Sequence, residues 1–170
     1  YSISMTTRKP RQGETNGKEY YFVTKEEFEK NISEGKMLEY AEFVNNYYGT
    51  PLDKINEQLE SGKEVVLEIE VQGAMQVKKK VKDAVFIFIA PPSMNALYSR
   101  LTNRGTETEK IIKERCEKAK REVGLANMYD YIVVNDEVSN AADKIIAIIR
   151  AEHARTKRTI DKYQKMLEVK

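Results

Sequence analysis

A chain of 170 residues that is 41% hydrophobic and 33% charged has the make-up of one globular domain, with a substantial core and a wet, charge-mixed surface. Its net charge of +2 excludes the concentrated basic face that nucleic acid or an anionic membrane surface requires, and no apolar run approaches membrane-spanning length. A single cysteine, Cys116, rules out an internal disulfide and fits a reducing, cytoplasmic compartment, while the lone His153 cannot build a histidine-rich metal site.

In chain order, "YSIS" predicts a short strand that runs into a polar turn punctuated by Pro10, Gly13 and Asn16-Gly17. "YYFVT" predicts a second strand. Thr24 is placed to cap a helix, with Glu27 three residues on completing a capping box before Phe28 and Ile32. The alternation in "MLEYAEFVNNYYGT" predicts a half-exposed hairpin, and Pro51 suits the first turn of a helix running to about Gly62. Then the character changes. "EVVLEIEV" and "AVFIFIA" are near-continuous apolar runs, as expected of parallel strands covered on both faces. Each precedes a helical segment, and "YIVVND" repeats the theme before a long amphipathic C-terminal helix that carries His153 on its surface. Strands alternating with helices define an α/β fold, a parallel sheet flanked by helices, with a polar lobe inserted at about residues 6–50.

Three constellations carry chemistry. Arg8 and Arg11 lie three apart around Pro10, and the planar donor fork of arginine matches phosphate or carboxylate, so the pair can converge on one small dianion. Ser4, Tyr20 and Tyr48 offer neutral donors for the same oxygens, and Glu14 offers a carboxylate to hold an arginine in place. Glu68 and Glu70 lie two apart on a predicted strand, so both are expected to project to one face at its carboxyl end, where open α/β sheets bind ligands. Two carboxylates there suit a hydrated Mg²⁺ or the N–H groups of a ligand. In "YSRLTNRGTETEKIIKERCEKAKRE", Ser93 follows Pro91-Pro92 as a helix cap, and Arg100 and Arg104 share one helix face. Gly105 breaks that helix, Thr106 or Thr108 starts another, and Arg115 sits on it. A glycine-hinged helical pair bearing arginines suits closure over a polyphosphate.

Taken together, "SMTTRKPRQGETNGKEYYF", "EYAEFVNNYYGTP", "EIEVQG", "FIFIAPPS", "RGTETE" and "YDYIVVND" strongly resemble bacterial guanylate kinases, over residues 2 to about 167. The resemblance implies a P-loop nucleoside-monophosphate kinase core with a GMP-binding lobe at about residues 6–50 and a mobile lid at about 94–125. It implies transfer of a phosphoryl group from ATP to GMP, with Mg²⁺. Ser4, Arg8, Arg11, Tyr20 and Tyr48 would then bind the GMP phosphate, with Glu14 alongside. Glu39, Thr50 and Glu70 would read the guanine edge, and Glu68 would sit near the magnesium water shell. Arg104 and Arg115 of the lid would reach the phosphates, with Arg100 and Asn135 near the ATP side.

The sequence departs from that pattern at one point. The phosphate-cradling G-x-x-x-x-G-K-[ST] is not in it: Gly17, Gly35 and Gly62 precede lysines, but Glu19, Met37 and Glu64 follow where Ser or Thr is needed. The family carries that loop in a strand-helix unit of roughly 30 residues that would precede Tyr1. A polypeptide beginning at Tyr1 is therefore expected to recognise GMP, to lack kinase activity and to dissolve poorly. The rival reading is a non-catalytic guanylate-kinase-like interaction module.

Overall fold

The protein is described from a computed structural model over residues 1–103, 105 and 108–168. It divides into two units, Tyr1–Ala84 and Val85–Lys170.

In the first unit, pairing partners rather than apolar content decide where strands lie. β1 is Met5–Thr6, just beyond the expected "YSIS" strand, because Met5 and Thr6 pair with Gly49 and Tyr48 of an adjacent antiparallel strand. Residues before it are tied singly instead, Ser2 N donating to Val66 O and Ser4 O accepting from Tyr21 N, both at 2.9 Å. β2 (Tyr21–Phe22) runs parallel to β1, and α1 (Lys25–Ser33) follows, with Thr24 Oγ1 accepting from Glu27 N as the capping signal predicted. Phe28 of α1 is completely buried and stacks on Tyr47 with ring centroids 5.3 Å apart.

β3 (Met37–Phe43) and β4 (Asn46–Pro51) form the predicted antiparallel hairpin, and α2 (Leu52–Glu60) starts directly after Pro51. The hairpin closes through Val44 and Asn45 at φ 48° and 58°. A two-residue loop with both residues left-handed matches strand twist, but a β-branched valine is strained there. Val44→Asn is expected to raise stability by about 1 kcal/mol, a Tm gain of roughly 2–4 °C in thermal unfolding.

The strand order is β2-β1-β4-β3, which leaves β3 at an edge. Against it packs α3 (Val71–Lys80), whose Gly73, Ala74 and Val77 are buried. The segment 64–70 before α3 was expected to be a strand buried on both faces. It is irregular chain in no sheet, held at Val66 O by Ser2 N, and Val66 is 47% exposed. Apolar β-branched content favours an extended backbone, but a strand exists only where a ladder satisfies its N–H and C=O groups.

In the second unit, β5 (Ile87–Ala90) and β6 (Tyr131–Val134) pair in parallel, Ile87 opposite Tyr131 through Ala90 opposite Val134. Phe88 and Val133 are buried while Ile89, Ile132 and Val134 are exposed. The expectation of cover on both faces is thus corrected: in each strand the period-two alternation buries one face. α4 (Met94–Asn103) begins with Ser93 Oγ accepting from Ala96 N, and α5 (Glu109–Val123) begins after Thr108. A single 3-10 turn, Ala126–Met128, leads to Tyr129, whose ring meets Phe88 edge-on at 5.2 Å.

The predicted long C-terminal helix is two helices, α6 (Val138–His153) and α7 (Thr156–Glu168). At their joint the carboxylate of Glu152 is buried, accepting from Tyr131 Oη at 2.7 Å and from Arg155 and Arg158. Between Ile149 and Ile160 no apolar residue larger than alanine interrupts a polar run, and within it lies the buried carboxylate with two arginines close behind. His153 is exposed, as expected. The Tyr131 hydroxyl, with the arginines, holds the Glu152 carboxyl below its ordinary range. Its ionised form therefore contributes stability above the unfolded carboxyl's titration, and that stability is lost as pH falls through the depressed folded value. Glu152→Gln should flatten the acid limb of a Tm-against-pH curve.

Candidate functional site

A cavity of about 330 Å³ lies in the first unit, and six predicted site residues line it: Ser4, Tyr20, Glu39, Tyr48, Glu68 and Glu70. The hairpin brings Glu39 and Tyr48, β1 follows Ser4, and the segment before α3 delivers Glu68 and Glu70. The two glutamates were expected on a strand. They reach one cavity from irregular chain, and Glu70 occupies the N-cap position of α3.

Glu39 is the most deeply set carboxylate. It is 2% exposed, and Thr50, its partner across the hairpin, is fully buried and donates Oγ1–H to Glu39 Oε1 at 2.6 Å. The first turn of α3 closes over the same carboxylate. A Cβ on Gly73 would stand 2.1 Å from Glu39 Oε2 and 2.9 Å from Cδ, so no larger residue fits without displacement. Burial pushes the Glu39 carboxyl above its ordinary range, against the Thr50 hydrogen bond and the Lys80 charge. Such an acceptor is costly to leave without donors and is matched by a ligand's N–H groups.

The arginine-bearing turn expected to bind an anion meets the cavity lining at Tyr20. Arg8 is gripped in bidentate fashion by Glu14, both bonds at 2.9 Å, and donates to Lys9 O at 2.8 Å. Its guanidinium stands 5.4 Å from the centre of the Tyr20 ring, and Tyr20 meets Tyr48 edge-on at 6.0 Å. Glu14 also accepts from Arg11 N at 2.7 Å, so one carboxylate holds the turn and the arginine together. The Glu14 hydrogen bond raises the Arg8 pKa, and that same bond lowers the pKa of Glu14. Burial, then the neighbouring Tyr48, raises the pKa of Tyr20, which keeps its phenol a donor at neutral pH. The Arg11 side chain is exposed and does not line the cavity. Tyr1 Oη donates to Glu68 Oε2, a partner the sequence reading missed. The reading also missed Gly73, although "EIEVQG" contains it; its signal was a glycine in the first turn of a helix, where none is needed for backbone reasons.

In the second unit, Arg100 and Asn135 are brought into contact: Arg100 Nη1 donates to Asn135 O and Nη2 to Asp136 O, each at 2.8 Å. The guanidinium thereby fastens α4 to the turn after β6. Arg115 is half-buried on α5. Arg104 lies outside the described residues.

The fold is that of an α/β protein whose first unit gathers carboxylates in one cavity and braces a guanidinium against Tyr20 of its lining, a set of groups that suits a small ligand with N–H donors and an anionic group. The guanylate kinase family model matches residues 1–152. Guanylate kinase of Onion yellows phytoplasma (strain OY-M) is 60% identical over 169 residues, 99% of this chain and 80% of that protein. Guanylate kinase of Streptococcus thermophilus (strain CNRZ 1066) is 56% identical over 170 residues, 100% of this chain and 81% of that protein. The crystal structure of guanylate kinase from Anaplasma phagocytophilum, 37% identical, superposes with a TM-score of 0.79 and covers 92% of this chain and 77% of its own. The chain belongs to the guanylate kinase family.

Proposed function

We infer that the protein is an ATP:GMP phosphotransferase, giving ADP and GDP, and that the cavity of the first unit is its GMP site. The carrying observation is Glu39, a buried carboxylate held by Thr50 that lines the same cavity as Ser4, Tyr20 and Tyr48. Guanine offers N–H donors at N1 and N2, and Glu39 and Glu70 accept them, with Thr50 orienting Glu39. Adenine has no donor at N1, so it leaves a carboxylate acceptor without the ligand N–H it is placed to receive, and a site of that kind discriminates strongly.

The GMP phosphate falls to Arg8 and Arg11, with Ser4, Tyr20 and Tyr48 as neutral donors. Glu14 fixes Arg8 before the ligand arrives, so little side-chain freedom is lost on binding. In the reaction a phosphate oxygen of GMP forms a bond to the terminal phosphorus of ATP while the bond from that phosphorus to the bridging oxygen breaks, and ADP departs. Arg104 and Arg115 of the lid neutralise the charge on the transferring group, and Arg100 and Asn135 serve the ATP side. Mg²⁺, when bound with ATP, neutralises phosphate charge. Glu68 suits it through a water, because Tyr1 occupies Oε2 and leaves Oε1 to accept. A compartment that keeps Cys116 reduced, the cytoplasm, fits this metabolism.

Titration calorimetry with GMP and AMP tests the site, and a coupled assay with ATP, Mg²⁺ and GMP on the full-length protein tests the activity. Equal affinity for the two mononucleotides would remove the assignment. Arg8→Ala and Arg11→Ala should each weaken GMP binding by about 1.5–3 kcal/mol, roughly 10- to 150-fold. Arg104→Ala and Arg115→Ala should lower turnover with little change in GMP affinity.

A further inference from the structure

Glu39 belongs to an edge strand, and the outward-facing backbone groups on both sides of it are satisfied by helix side chains rather than by another strand. Gln76 Nε2 donates to Tyr40 O at 2.6 Å, and Tyr40 N donates to Gln76 Oε1 at 3.2 Å. Lys80 Nζ donates to Leu38 O at 2.6 Å and to Met37 O at 3.1 Å. Gly73, Gln76 and Lys80 recur at three- and four-residue intervals, so they lie along one face of α3. Gly73 provides the close approach at one end of that face, where it touches the Glu39 carboxylate itself.

We propose that Gln76 and Lys80 are positioning residues that aim the Glu39 carboxylate by clamping the backbone on either side of it, and that they thereby set the preference for GMP over AMP. The inference rests on the reading of Glu39 as the guanine acceptor. An acceptor that must meet N–H donors at hydrogen-bond distance tolerates a misplacement of about 0.5 Å, and an edge strand without a neighbour is the part of a sheet most free to move by that amount. An amide that both donates to and accepts from one residue, with an ammonium bridging two carbonyls, replaces the missing ladder over residues 37–40. Neither side chain lines the cavity, so the clamp acts on the ligand through β3, and the Lys80 charge adds to it by favouring the ionised Glu39 carboxylate.

The test compares Gln76→Ala, Lys80→Met and Lys80→Arg with the parent protein. GMP affinity is measured by calorimetry and AMP affinity by displacement, well below each variant's Tm, with the folded state checked by circular dichroism. The first two variants should lower the GMP-to-AMP affinity ratio at least about fivefold through loss of GMP affinity alone, and Lys80→Arg, which can still bridge two carbonyls, should restore most of it. A merely structural role would lower both affinities in proportion or neither. If the parent prefers GMP and Glu39→Gln abolishes that preference, but folded Lys80→Met keeps the full ratio, the positioning role is overturned while the GMP site stands. If the parent itself shows no preference, both fall. Should Gln76→Ala not fold, Lys80→Met decides alone, since its side chain lies largely at the surface.

Discussion

Glu39→Gln is expected to weaken GMP binding by about 2–4 kcal/mol, roughly 30- to 1,000-fold, and to leave AMP binding nearly unchanged. The amide keeps the shape of the carboxylate but replaces one of its two acceptor oxygens with a donor, which faces the guanine N–H groups. Thr50 Oγ1–H already occupies Glu39 Oε1, and Gly73 packs on Oε2, so the side chain has no free rotation with which to adapt. Glu70→Gln should have the same sign and a smaller size, because Glu70 is only half-buried. A pH series supplies an independent check. Burial raises the Glu39 carboxyl, so the ionised acceptor is lost on acidification at a pH above the ordinary glutamate range. GMP affinity should fall there in the parent protein, and the Glu39→Gln variant should lack that component. Calorimetry showing wild-type affinity in Glu39→Gln would remove this residue from guanine recognition.

Gly73→Ala should damage both stability and GMP binding. Alanine is the better helix former, by about 1 kcal/mol, so an exposed position would gain stability from the substitution. Here the added carbon would stand 2.1 Å from a carboxylate oxygen and 2.9 Å from its carbon, well inside contact distance. Either α3 withdraws from β3, which strains the Gln76 and Lys80 bonds, or Glu39 leaves its place beside Thr50. Overpacking of this kind costs about 1–3 kcal/mol, which outweighs the propensity gain. Thermal unfolding should therefore show a net loss, and GMP affinity should drop at least tenfold, a larger fall than the stability change alone accounts for. A more stable Gly73→Ala protein with unchanged GMP affinity would show that the contact between α3 and Glu39 is loose.

Local chemistry was legible along the chain. Thr24 and Ser93 cap helices because a hydroxyl reaches N–H groups three residues away, whatever the surroundings. The hairpin at 37–51 follows from alternation, and Glu14 holds Arg8 because both belong to one short turn. Family motifs added Glu39 and Thr50, which composition and spacing do not single out. Three features lay beyond such reasoning. The run 64–70 has the residues of a buried strand, yet a strand depends on a partner's backbone, and its own residues do not encode one. The amphipathic pattern that predicted one C-terminal helix lapses over residues 150–159, yet nothing in that polar run says that Glu152 is buried against Tyr131 and two arginines where the helix divides. Gln76 and Lys80 are unremarkable polar residues on a helix until Tyr40, 36 positions earlier, and Leu38, 42 earlier, are folded against them. Hydrogen bonds closed within one turn leave a pattern in adjacent residues; those closed across tens of residues leave none, because either partner alone reads as solvated surface.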